Sequence, residues 1–181
     1  MSTELRESIA LPDGVTATVS GDGFTIKGKK GEIHRRVDNP NITITAAGKE
    51  LVFTATPVNK RNKTVLQTSA AHARNMVRGA QEGHLYKLKI CSGHFPMNVA
   101  VSGSEFVIKN FLGEKSPRKL TIRQGVSVKV QGVEVVVEAA DKELAGMTAA
   151  AIEQVTKIAN RDRRVFQDGI YITVKDGKEV I

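Results

Sequence analysis

Apolar residues recur along this chain at two periods. Leu66, Ala70, Ala73, Val77 and Ala80 follow one another at intervals of three and four, which gathers a single stripe on a helix. The pattern predicts a helix from Lys63 to about Arg78, opened by a capping box at Thr64 to Gln67 and ended by Gly79 and Gly83. Leu144, Thr148, Ala151, Ile152, Val155 and Ala159 predict a second helix, from Lys142 to about Ala159, with Asp141 placed to accept from its first amides. Elsewhere the period is two. Tyr86, Leu88 and Ile90 alternate with Lys87 and Lys89 as a half-buried strand requires, and Gly169 to Ile172 follows the second helix in the same way.

A repeat organises these elements. With the chain shifted by 82 positions, VSGDGFTIKGKKGE (Val19 to Glu32) lies over VSGSEFVIKNFLGE (Val101 to Glu114) and eight of fourteen positions are identical. About one match is expected by chance, so the chain is read as a duplication. Ile42 to Ile44 then answers Leu120 to Ile122, and Leu51 to Phe53 answers Val135 to Val137. Each half ends in one helix and a returning strand. The predicted architecture is α+β, a tandem duplication of two small domains, each a mostly antiparallel sheet packed against one helix. The expected boundaries are 1–82 and 83–181, on either side of Glu82 and Gly83.

Composition narrows the function classes. The 181 residues include 40% hydrophobic and 25% charged positions, an ordinary globular balance. Lys and Arg number 27 against 19 Asp and Glu, a net charge of +8, which favours an anionic partner without naming it. A single cysteine, Cys91, closes no internal disulfide, and no apolar run reaches the roughly 18 residues of a membrane span. A soluble protein of a reducing, cytoplasmic compartment is expected, without a membrane partner. Six Phe, two Tyr and no Trp leave little material for an open base-stacking platform, and Phe24 and Phe106, equivalent in the repeat, are read as packing residues.

Candidate chemistry is sparse. Cys91-Ser-Gly-His94 has a metal-like spacing, but a zinc site needs about four ligands and no second Cys exists, so neither metal nor cofactor is expected. No acid, base or nucleophile constellation emerges, so no catalytic residue is assigned. Gly28-Lys-Lys-Gly31 and Gly113-Glu-Lys-Ser116 lack the spacing of a nucleotide-binding loop. Basic clusters carry more weight. Lys115, Arg118, Lys119 and Arg123 lie within nine residues, and Lys157, Arg161, Arg163 and Arg164 follow the second helix around a single Asp162. Arg offers a planar fork suited to phosphate oxygens. The first half is basic as well, at Lys27, Lys29, Lys30, Arg35 and Arg36 and again at Lys60, Arg61 and Lys63.

Four stretches, KTVLQTSAAHARNMVRGAQEG, HFPMNVAVSG, VIKNFLGEK and NRDRRVFQDGIYI, resemble the large ribosomal subunit protein six family, in its archaeal and eukaryotic branch. The likeness covers nearly the whole chain. It implies a non-enzymatic constituent of the large ribosomal subunit that binds large-subunit ribosomal RNA chiefly through its C-terminal domain. It also implies a place near the stalk base and the sarcin-ricin region, among neighbouring large-subunit proteins. Asp141-Lys142 and Gly146 match the family's second-helix opening, and Gly169-Ile170-Tyr171 matches its closing strand. Bacterial members carry a Gly-Lys-Gly run where this chain has Arg161 to Asp168, so contacts there must be chosen by local charge. The expected RNA-binding residues are Lys115, Arg118, Lys119, Lys142, Lys157, Arg161, Arg163 and Arg164. The competing reading is a tandem β-rich protein-binding adaptor whose charge is generic.

Overall fold

The computed structural model describes residues 4–21 and 23–180, and the chain divides after Gly83 into two compact units. The first runs β1 (Leu5–Ala10), β2 (Thr16–Ser20), β3 (Gly23–Gly28), β4 (Gly31–Arg36), β5 (Ile42–Ala47), β6 (Glu50–Ala55) and α1 (Lys60–Gln81). These strands form two antiparallel sheets, ordered β2-β3-β4 and β1-β6-β5. α1 packs on β1, β3, β4 and β6, and its predicted stripe of Leu66, Ala70, Ala73, Val77 and Ala80 is buried. Phe24 and Phe53 meet edge to face at 5.5 Å in that core. The Gly28–Gly31 turn closes over the end of the helix, where the Lys30 amide donates to the Ala80 carbonyl at 3.0 Å. A Cβ at Gly28 would stand 2.5 Å from that oxygen, so only glycine fits.

The second unit runs β7 (His84–Cys91), β8 (Asn98–Ser102), β9 (Glu105–Lys109), a short 3-10 turn (Phe111–Gly113), β10 (Arg118–Thr121), β11 (Val126–Gln131), β12 (Glu134–Ala139), α2 (Lys142–Val155), β13 (Gly169–Lys175) and β14 (Lys178–Glu179). A three-stranded sheet has the order β10-β9-β8 and a five-stranded one β11-β12-β7-β13-β14. Leu88, Phe106, Ile108, Val135, Val137, Ala145, Ala149, Ile152 and Ile170 fill the core between them and α2. The architecture is α+β, one helix to each unit, as the pattern predicts.

Five expectations from sequence change in the fold. α1 begins a turn before Lys63: Asn59 is its cap and accepts from the Asn62 amide at 2.7 Å, while the Thr64 hydroxyl donates to the Lys60 carbonyl inside the helix. Gly79 lies within α1, and the stop is Gly83, whose φ of +83° a side chain would resist. α2 ends at Val155 rather than near Ala159, so Lys157 and Arg161 stand on a loop. Leu120 belongs to β10, which pairs with β9 as β4 pairs with β3; the counterpart of β5 is β11, from Val126. The strand after α1 does not return to its own sheet. β7 pairs with β12 and β13 at the centre of the second unit, occupying the position that β1 holds beside β6.

Candidate nucleic-acid interface

The end of α2 is fixed by one hydroxyl. Thr156, 3% exposed, donates through Oγ1 to the Glu153 carbonyl at 3.0 Å and accepts from the Ile170 amide at 3.0 Å, tying the helix terminus to β13. Residues 157–168 must therefore leave and return over a short span. Ile158 is buried, while Lys157, Arg161, Asp162, Arg163 and Arg164 face solvent. Asp162 shapes the tip: its carboxylate accepts from the Arg164 amide at 2.9 Å and from the Arg164 guanidinium at 2.8 Å. The Arg164 hydrogen bonds hold the Asp162 carboxyl below the usual range, so it stays ionised.

A buried carboxylate anchors the return. Asp168 accepts from the amides of Gly93 and His94, the latter at 3.0 Å, and lies 2.6 Å from His94 Nδ1. An ionised carboxylate only accepts, so Nδ1 carries the proton. Burial pushes the Asp168 carboxyl up, but these donors outweigh it and hold the group below its ordinary value. The His94 ring stacks on Phe166 at 4.7 Å, and the Arg161 guanidinium lies over Phe166 at 4.9 Å. Val165, 60% exposed, stands beside this stack.

Arg118 joins the two basic clusters that are some forty residues apart in sequence. Its Nε and Nη2 donate to Glu114 at 2.8 and 2.5 Å, and its Nη1 donates to the carbonyls of Val155 at 2.6 Å and Lys157 at 3.4 Å. The guanidinium also covers Phe111 at 4.2 Å. Four of its five donors thus have internal acceptors, and it forms a clasp across the C-terminus of α2. The Arg118 hydrogen bonds hold the Glu114 carboxyl low, with a smaller contribution from the charge of Arg161.

The remaining expected residues separate into two groups. Lys115, Lys157, Arg161, Arg163 and Arg164 are exposed, and the clasp and latch gather their loops around one end of α2. Lys119 and Lys142 do not join them. Lys119 alternates with Arg118 along β10, so it points to the other face, where it pairs with Glu105 at 3.2 Å. Lys142 opens α2, roughly 20 Å from its far end at 1.5 Å per residue. There it contacts Asp176 at 3.0 Å, and Asp176 also holds the fully buried His84 at 2.8 Å. Lys142 is part of a structural triad. In the first unit Lys27 pairs with Glu32 at 4.0 Å and Arg36 with Asp38 at 2.6 Å.

The ribosomal protein L6 family matches residues 11–83 and 95–169, one segment from each unit. The chain belongs to the ribosomal protein L6 family. It is 42% identical over 174 residues, 96% of each chain, to the large ribosomal subunit protein uL6 of Methanococcus vannielii. Ribosomal L6 proteins are structural rather than catalytic components of the cytoplasmic ribosome, and this chain is one of them. No group of three or more His, Cys, Asp and Glu side chains able to hold a metal ion occurs among the described residues.

Sequence reasoning missed the Asp168–His94 latch, because its partners lie 74 residues apart and no local window contains both. It also missed the hollow the latch creates. Cys91, Ser92, Gly93, His94, Val165, Gln167, Asp168 and Tyr171 line a cavity of about 620 Å³, and a smaller one of about 260 Å³ adjoins it across Tyr171, lined by Lys157 and Arg163.

Proposed function

We propose that the chain is a constituent of the large ribosomal subunit that binds large-subunit ribosomal RNA mainly through residues 84–181, near the stalk base and the sarcin-ricin region. Family membership supports the ribosomal role, and the resemblance supplies the location. The observation that carries the RNA contact is the convergence of Lys115, Lys157, Arg161, Arg163 and Arg164 at one end of α2, held there by Thr156, Arg118 and Asp168. Such a surface neutralises phosphates and fixes register; it does not by itself read sequence. Neighbouring large-subunit proteins complete the surroundings.

The test is a salt titration of full-chain binding to large-subunit RNA fragments that carry the stalk base or the sarcin-ricin region, against a random duplex of equal length. A specific complex persists at salt that strips the duplex. Replacing Arg161, Arg163 and Arg164 together with Ala lowers the salt slope by roughly 2 to 3, at 0.7 to 0.9 for each phosphate no longer neutralised. Equal, weak binding to both RNAs, or an unchanged slope in a folded triple variant, overturns this assignment.

A further inference from the structure

We propose that the larger hollow beside Tyr171 receives a single unstacked base of the bound RNA, a claim that rests on the RNA-binding reading above. Its volume of about 620 Å³ lies within the range of small-molecule sites, roughly 300 to 1,000 Å³. Its walls are suited to a flat aromatic guest: the His94 and Tyr171 rings, the Val165 side chain, the Cys91 thiol and the bare backbone of Gly93. Ser92 and Gln167, both exposed on its lining, supply a hydroxyl and an amide that donate and accept, the groups that hydrogen-bond a base edge.

Contacts within the chain fix the wall of the hollow. Asp168 spends its carboxylate on Gly93 and His94 and is buried behind them, so it fixes the wall rather than offering an oxygen to the guest. Phe166 backs the His94 ring, which is held although its side chain is 38% exposed. A fixed wall lowers the ordering cost of binding. The surrounding charge selects a nucleotide over an apolar peptide side chain. Arg161 lies over Phe166, the charge of Arg163 acts on Tyr171 along with those of Asp168 and Glu153, and the adjoining hollow carries Lys157 and Arg163 against Glu153, a balance of three cations in the neighbourhood to two carboxylates. A base in the hollow thus brings its own phosphate among cations. Scarcity of aromatic residues, which argues against an open stacking platform, does not oppose a pocket for one base.

The experiment uses the full chain and the large-subunit RNA fragment it binds best, with each unpaired nucleotide deleted in turn. One deletion weakens wild-type binding about tenfold or more, the scale of one base–aromatic contact, and lowers the salt slope by no more than the roughly 0.7 to 0.9 of the single phosphate it removes. Ser92→Trp, which plugs the hollow without altering charge, binds the intact and deleted fragments equally, and Gln167→Ala weakens only the intact one. Cys91, the single cysteine, provides a readout without mutation: the intact fragment slows its alkylation by iodoacetamide, and the deleted fragment does not. If every deletion is silent and Cys91 alkylates at the free rate while salt-resistant RNA binding persists, the pocket is wrong and the RNA reading stands. If the chain fails to prefer large-subunit RNA over the random duplex, both fall.

Discussion

Arg118→Ala separates the two roles a basic residue can have at this surface. The substitution removes the Glu114 fork, the donor to the Val155 carbonyl and the cover of Phe111. The fork joins partly exposed groups, 27% and 40% by side chain, and is worth about 0.3 to 1 kcal/mol. The bond to Val155 involves a charged donor at the helix end and contributes about 1.5 kcal/mol, the low end for such bonds because the group is partly wet. The guanidinium on Phe111, a ring only 1% exposed, adds about 0.5 to 1 kcal/mol. The sum is about 2 to 3.5 kcal/mol. Thermal unfolding followed by circular dichroism should show the second unit melting about 10 °C or more lower, at roughly 4 to 8 °C per kcal/mol for a domain this size. Arg118→Lys keeps the charge but not the fork, and recovers less than half of that stability. At a temperature where the variant is folded, its salt slope for RNA binding matches wild type. An unchanged melting temperature with a slope reduced by roughly 0.7 to 0.9 refutes the clasp and makes Arg118 a phosphate contact.

Three further outcomes are expected. Asp176→Asn removes the carboxylate between His84 and Lys142 while keeping a residue tolerant of its φ of +52°, and costs about 1 to 3 kcal/mol in urea unfolding, as for weakened hydrogen bonds at a charged group. Asp168 and Asp176 both have folded-state values held below normal, burial being outweighed by their donors. Their stabilisation is therefore complete above the unfolded value of about 3.9 and is lost as pH falls through the lower folded values. The urea midpoint should stay level down to about pH 5 and fall steeply below pH 4, with Asp168→Asn flattening that fall; an acid limb identical to wild type counts against the latch. Gly28→Ala drives a methyl group into the Ala80 carbonyl and should open the β3–β4 turn, seen as faster amide exchange at Lys30 with β1 and β6 unaffected.

Local pattern was enough for most of the fold. The three-to-four spacing from Leu66 to Ala80 marks the face of α1 that is buried, Asp141 caps α2 by accepting from the Glu143 amide at 2.8 Å, and the equivalent Phe24 and Phe106 are both fully buried. Helix ends were less legible. Asn59 competes with Thr64 as a cap, and only the chain's path into α1 chooses between them; α2 stops where Thr156 and Arg118 take up its terminal groups, through partners in β13 and β10 that no local window contains. Strand pairing is likewise non-local, so Leu120 could be matched to the wrong strand by its spacing alone.

The same division holds at the interface. Charge is a property of composition, so residue identities alone establish that the chain is basic, that Arg and Lys cluster after β9 and after α2, and that these stretches resemble a ribosomal family. Which cations remain available is a property of the fold, because a guanidinium or ammonium is consumed by whatever acceptors lie within about 3 Å of it. Arg118 and Lys142 are drawn inward by carbonyls and by Asp176, whereas Lys157 and Arg163 stay in solvent. The hollow at Tyr171 belongs wholly to tertiary structure, since its walls come from the ends of β7 and β13 and are held together by Asp168 across 74 residues of chain.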